Sequence, residues 1–487
     1  MAGLMCGTLL AKEGLDVCVL ERDQQLGGCL QTFAFHKKVF DSCVHYIGGL
    51  GEGHTLNKIF RYCGIMDALR LEPLDDMGYD EIIFKDEPLA YPLAGRKHFV
   101  EALVKYFPDE RDSLERYVRL IDDTAAAFPL YNLRKGEASE KGQYAEMELQ
   151  ATLDTITTNK RLQEVLAGNN FLYAGLPGIT PWYVHGLIAH SYMHSVHKVL
   201  PGSSEISKAL GRVIRAHGGT VLRNAEVTAL NEEDGLIVSA TANGETYAGK
   251  HFISAIHPQK TLEITQSKVL RPAYRKRIES RVQSPTVAML NIVLKPGVIR
   301  SHRRNIYWHP DGAVYKQGEH WPGSVAFFFN DDPQHPGFAE TVSVIVYDYY
   351  SNYADWEASV SRAGLKADRP EAYGQYKEET AQKMLQSAYR LLPELERAIE
   401  AYTVASPLTF RDYTATPEGS LYGLMKDINL PQGGNLSTRT RIPNLQLTGQ
   451  NIGLHGVLGV TMTALTTCAK LIDLDLLLEK IHAANGE

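Results

Sequence analysis

The chain has 487 residues, 44% of them hydrophobic and 22% charged, and a net charge of −7. That length allows two or three domains around a large core, and the composition is that of an ordinary globular protein, which excludes a disordered or fibrous chain. The acidic balance argues against a nucleic-acid partner. Cys6, Cys18, Cys29, Cys43, Cys63 and Cys468 show no C-x-x-C spacing and mostly sit in apolar segments, so free thiols in a reducing compartment are expected. No apolar run approaches membrane-spanning length and no signal peptide is read. The expectation is a cytoplasmic protein with at most transient contact at a membrane surface.

Gly3 to Gly14 reads as a helix closed by a glycine. Asp16-Val-Cys-Val-Leu-Glu21 reads as a buried parallel strand ending in an acid. In a dinucleotide-binding unit an acid there accepts ribose hydroxyls, so Glu21, with Arg22 beside it, is a cofactor candidate. Gly27 and Gly28 let backbone N–H groups approach a pyrophosphate without a Cβ in the way, and Thr32 closes that segment. After the short run to Phe40-Asp41, His45 and Tyr46 are candidates for proton donation or substrate contact; the competing reading is a polar cluster that only shapes a pocket. Gly49-Leu-Gly51-Glu-Gly53 imitates a nicotinamide fingerprint but opens no good βαβ unit, so it reads as a loop. NAD(P)H is therefore expected only as a transient reductant.

The stretch from 76 to 197 reads as largely helical after Tyr91-Pro92. Its aromatic run (Phe171, Tyr173, Trp182, Tyr183, Tyr192) fits either a tunnel wall for a long apolar substrate or plain core. His190, His194 and His197 stand at i, i+4, i+7, which is one helix face. No helical acid is read to complete a metal site, so no metal is expected. A helix from Ser204 to His217 ends at Gly218-Gly219, and short strands follow to His251-Phe-Ile-Ser-Ala-Ile-His257. Between 263 and 404 come three strong strands (from Thr286, Ser324 and Thr341) and an amphipathic helical region, Glu371 to Ala401, interrupted at Pro393.

Near the C-terminus a short strand at Leu445–Leu447 runs into Thr448-Gly449-Gln450-Asn451, then His455-Gly456-Val457, then one long helical segment to about Ala484. The free N–H groups at such a helix start bind anions, or the electron-rich edge of a reduced flavin. Gly449, Gln450, Gly456, Val457, Gly459 and Val460 are cofactor candidates here. His455 is a candidate to stabilise negative charge together with the helix end; the plainer reading is that these residues only cap the helix.

Taken in order, Gly27-Gly28 to Thr32, Phe40-Asp41 to His45-Tyr46-Ile47-Gly48, Pro417-Glu-Gly-Ser-Leu-Tyr422-Gly423 and the C-terminal run resemble the flavin-dependent phytoene desaturase, carotenoid isomerase and retinol saturase family. Pro201 to Leu210 and Gly218 to Val227 add to the match, which covers essentially the whole chain. His45-Tyr46-Ile47-Gly48 and Thr448-Gly449-Gln450-Asn451 resemble the branch of all-trans-retinol 13,14-reductase. The resemblance implies an α/β fold in two parts. A discontinuous FAD/NAD(P)-binding Rossmann-like domain takes 1–75, 198–262 and 405–487, and a mixed α+β substrate domain takes 76–197 and 263–404. It implies FAD as cofactor, the Val227 backbone against adenine, and saturation, desaturation or isomerisation of a C=C bond in an apolar polyene or isoprenoid. The sequence departs from the family in three places. The family opens with a strand and a G-x-G-x-x-G loop, whereas this sequence opens at what matches the loop's last glycine, Gly3; a mis-assigned start is expected in preference to a true truncation. Cys29 stands where many relatives carry Arg, and Pro201 where they tend to carry Gly. Two other readings stay open, a flavin amine oxidase and a lipid-binding or chaperone protein that has lost its cofactor.

Overall fold

The structure is a computed structural model that describes residues 1–85, 87–310, 312, 314–315, 321–362 and 368–487. The opening helix, Ala2–Lys12, is buried along most of its length, and the chain turns out of it at Gly14, whose φ of +82° suits glycine. Strand Cys18–Leu20 then pairs in parallel with Thr220–Leu222, and Phe252–Ser254 pairs in parallel with Leu445–Leu447. The expected parallel sheet is thus present as two separate two-stranded ladders. Helices hold them. Ala2–Lys12 packs on Ser204–Ala216 and on Gly456–Cys468. Gly7 makes the close approach possible, since a Cβ there would meet Ile214 at 3.0 Å and Val19 at 3.1 Å.

The second half is built on a seven-stranded sheet ordered Ile399–Ala405, Thr286–Leu294, Ala339–Asp348, Val325–Asp331, Asn305–His309, Asp80–Phe84, Ala90–Leu93. The pairing of Asn305–His309 with Asp80–Phe84 is parallel and its other pairings are antiparallel. Every residue of Thr286–Leu294 is buried, because its two faces serve two cores. Ala288, Leu290 and Ile292 pack with Met384 and Leu385 of the Glu371–Leu391 helix. Val287 and Met289 join the cluster of Tyr117 and Trp182, on the helices Arg111–Ala126 and Trp182–His194. Trp182 is fully buried and its indole N–H donates to Thr124 Oγ1 at 2.8 Å.

Three sequence expectations are corrected. The C-terminal helix is two helices, Gly456–Cys468 and Leu474–Ala483; the Asp473 side chain accepts from the N–H groups of Asp475 and Leu476 and starts a new helix. The helical region expected to Ala401 stops at Leu391 apart from the short turn Leu395–Ala398, and Ile399–Ala405 is an edge strand on Met289–Leu294. Cross-strand pairing of a β-branched run outweighs its helical periodicity. His197 leaves the helix face of His190 and His194, because the helix ends at His194 and His197 lies in strand Val196–Leu200. Among the described residues no helix is long and apolar enough to cross a membrane.

Candidate active site

A cavity opens where the two halves meet. Its walls come from Ser42–Gly48, from Leu187, Ile188, Ser191 and Tyr192 on one helix, and from the start of the Gly456–Cys468 helix. Met289, Tyr307, Phe328 and Ile345 form its floor; they lie on neighbouring strands, with Met289 directly opposite Ile345. None of the described residues lining it is Asp, Glu, Lys or Arg. Of the aromatic run, Phe171 and Tyr192 reach the cavity, whereas Tyr173, Trp182 and Tyr183 belong to the packed core.

His45 lies flat on Phe328, ring centroids 4.5 Å apart. Its Nε2 is buried and meets no hydrogen-bond partner, and burial pushes its pKa down to about 3, so the ring is neutral. Tyr46 has its hydroxyl 2.9 Å from Asp80 Oδ2 and 2.5 Å from the Tyr307 hydroxyl. Asp80 also accepts from Asn169 at 3.1 Å and from Asn305 at 3.0 Å; burial nevertheless raises its pKa to about 6. Sequence reading found Tyr46 but not Asp80 or Tyr307, which lie 34 and 261 residues away and become its partners only through the parallel pairing of their strands.

His455 sits at the start of the Gly456–Cys468 helix and makes no side-chain cap. The first N–H groups of that helix therefore lack a capping side chain, at its positive end. A Cβ on Gly456 (φ +74°) would meet nothing within 4 Å, whereas one on Gly459 would strike Leu454 at 2.6 Å. His455 Nε2 is 2.9 Å from the Leu172 carbonyl, and its ring lies tilted against Tyr422, centroids 4.0 Å apart. Burial holds it neutral, with a pKa down to about 4, so positive potential at this wall comes from the helix end and not from an imidazolium. Lys426, which sequence reading passed over, is buried close by with its ammonium 3.3 Å from the Gln450 carbonyl and its pKa pushed down to about 7. Val457 and Val460 are buried along the helix, and Gly449 takes φ +103° in the turn before it.

At the other end, Glu21 leaves its strand with a largely buried carboxyl, which raises its pKa. Gly27 (φ +105°) is pressed against Ser207, where a Cβ would come within 2.7 Å; Gly28 (φ +58°) faces open space. The Met1 ammonium donates to the Gly27 carbonyl at 2.9 Å, and Thr32 Oγ1 lies 3.0 Å from Ser204 Oγ. Gly3 abuts Ala255, and Val227 opens the antiparallel strand facing Ala242. Arg22 is not a free cation for a phosphate. Its guanidinium is taken up by Asp23 and by the carbonyls of Asp412 and Tyr413.

The acid at a strand end, the open glycine, the uncapped helix end and the orphaned His45 nitrogen together fit a flavin dinucleotide. A Rossmann-like half joined to a sheet-and-helix half around such a cavity defines a flavin-dependent oxidoreductase. The family model of flavin containing amine oxidoreductases matches residues 1–472, and the chain belongs to that family. It is 25% identical over 534 aligned residues to the all-trans-retinol 13,14-reductase of Danio rerio, covering 99% of this chain and 86% of that protein. It is likewise 25% identical to the Homo sapiens protein of that name, covering 96% and 84%. Putrescine oxidase bound to putrescine shares the fold, with a TM-score of 0.65 at 15% identity and 96% of each chain covered.

Proposed function

We propose that this enzyme uses FAD to saturate a carbon–carbon double bond of an apolar polyene of the retinoid class. The observation that carries the reading is the cavity wall, which is mostly aromatic and aliphatic, with neutral polar groups such as Ser42, Ser191, His45 and His455, and holds no Asp, Glu, Lys or Arg among its described residues. An amine substrate arrives as an ammonium ion, and burying it there without a carboxylate would cost several kcal/mol, on the order of a desolvated ion. A polyene incurs no such cost. The relatives named for retinol reduction support the same substrate class.

Bound FAD supplies the electron pair that reaches the substrate as hydride. Glu21, Gly28 and the Gly449–Gln450 turn would hold it, and the Gly456 helix end would stabilise negative charge on it. The proton comes from the Tyr46–Tyr307 pair. Burial drives the pKa of both phenols well up, so each keeps its proton until a carbanion-like carbon demands it. Asp80 sits behind them, accepts the Tyr46 O–H and holds the pair in place, and a proton from solvent restores the phenol after transfer. One hydride and one proton then add across the bond, and NAD(P)H, acting transiently, restores the electrons. Because a retinoid-like polyene partitions into lipid, transient contact with a membrane surface goes with this reading.

The test is anaerobic. Protein reduced with dithionite is mixed with a retinoid alcohol, and loss of polyene absorbance is followed alongside return of the oxidised-flavin spectrum. The expected outcome is both together, with Tyr46→Phe slowing them about 100-fold at unchanged FAD content. Bleaching of the oxidised flavin by a diamine, with no reaction of the reduced protein with polyene, would establish amine oxidation instead.

A further inference from the structure

Three side chains that play no part in that chemistry converge beside the cavity. His190 and His194 stand one turn apart at the end of the Trp182–His194 helix, and Asp122 comes from the facing helix, Arg111–Ala126. One ligand atom from each, an imidazole nitrogen or a carboxylate oxygen, lies within 4.8 Å of the others, and all three residues are partly exposed. Asp122 is the acid that sequence reading found missing; it arrives from a helix about 70 residues upstream, across the helix–helix contact.

We propose that Asp122, His190 and His194 form a binding site for a divalent transition metal ion, Zn²⁺ above all, that clamps these two helices at the cavity rim. Ligands around a tetrahedral zinc at 2.0–2.1 Å stand about 3.3 Å apart, so small side-chain rotations close the present spacing. His-x₃-His on one helix face with a carboxylate from another element is a borderline-soft N/O donor set that suits this ion.

The surroundings already orient the ligands as a metal needs. The Tyr131 hydroxyl lies 2.8 Å from His190 Nδ1 and 3.4 Å from the Leu187 carbonyl. With Tyr131 donating to that carbonyl and accepting from Nδ1–H, the Nε2 lone pair of His190 is left for the ion. Both bonds from Arg96 to Asp122 fall on Oδ2, at 2.8 and 3.3 Å, which fixes the carboxylate without using Oδ1. His54 brings a third ring near, 5.1 Å from that of His194, and is the nearest candidate for a fourth ligand. Since Tyr131 and Leu187 both line the cavity, an ion here would stiffen its wall from outside.

The experiment uses tag-free, full-length, FAD-loaded protein stripped with chelator and titrated calorimetrically with Zn²⁺. One ion per chain is expected, with a rise in melting temperature that chelator reverses. Asp122→Asn should weaken binding about 10-fold and His194→Ala about 100-fold, while flavin absorbance and far-UV circular dichroism stay unchanged, which separates loss of the site from loss of the fold. Equal Zn²⁺ affinity in the wild type and both variants, or no stoichiometric binding by the wild type, would overturn the proposal.

Discussion

Strands are treated differently in the two halves of the molecule. Thr286–Leu294 is buried at all 9 positions and has partners on both sides. Cys18–Leu20 and Phe252–Ser254 are 3-residue strands with no fully buried position, each in a ladder of two. A two-stranded ladder is marginal by itself, and here helices Ala2–Lys12, Ser204–Ala216 and Gly456–Cys468 pack together beside these ladders. The other half carries a seven-stranded sheet with a core of its own.

The largest expected effect is that of acid, which acts on buried histidines in both halves. His45 and His185 are held neutral with pKa values pushed down to about 3, and His309 and His455 to about 4. A folded-state pKa below the unfolded value of about 6.5 gives stability that is present above pH 6.5 and lost as pH falls toward the folded value, at about 1.4 kcal/mol per unit for each group. Asp41 and Asp80, raised to about 6, work the other way: their contribution is present below pH 3.8 and lost as pH rises to 6. The histidines outnumber them. Unfolding free energy from urea titrations should therefore fall by several kcal/mol between pH 6.5 and 4.5. A flat profile would mean that water reaches these rings.

Truncations come next. Phe327 is fully buried in Val325–Asp331, and Phe327→Ala should cost about 3–5 kcal/mol. Val19→Ala, in the half-buried Cys18–Leu20 strand, should cost about 1 kcal/mol. Similar losses would erase the contrast between the halves. Adding FAD to flavin-free protein at 100 times its dissociation constant should stabilise by about 2.7 kcal/mol. In hydrogen exchange the new protection should concentrate at residues 18–20, 252–254 and 445–447, with little change at 286–294.

The division also explains what could be read in advance. The Rossmann-like half was legible because its signals are local: a glycine pair, an acid at a strand end, a glycine turn into a helix, each within about ten residues. Three strands of the seven-stranded sheet, Thr286–Leu294, Val325–Asp331 and Ala339–Asp348, were legible as apolar runs. The chemistry of the cavity was not, because Tyr46 gains Asp80 and Tyr307 only when their two strands pair in parallel, and Asp122 meets His190 only when two helices cross. Periodicity also misled where a cap or a partner strand intervened, at Asp473 and at Ile399.

The smallest predicted effect separates two adjacent residues that sequence treated alike. Glu21 and Arg22 both stand where a dinucleotide's ribose and phosphates are expected. The Glu21 carboxyl is largely buried and its one backbone bond, from the Asp23 N–H at 3.0 Å, leaves oxygen lone pairs for hydroxyl donors. Arg22 instead spends its guanidinium on Asp23 and on two carbonyls of the Pro407–Thr414 helix. Glu21→Gln should therefore weaken FAD binding about 10-fold or more, the worth of a hydrogen bond to a charged group. Arg22→Ala should leave the dissociation constant within about two-fold and lower unfolding free energy by about 1 kcal/mol, because what it loses is a tether between the strand end and that helix. Fluorescence titration of flavin-free variants measures the first quantity and urea unfolding the second. Weaker FAD binding in Arg22→Ala, with unchanged stability, would instead make Arg22 a cofactor contact.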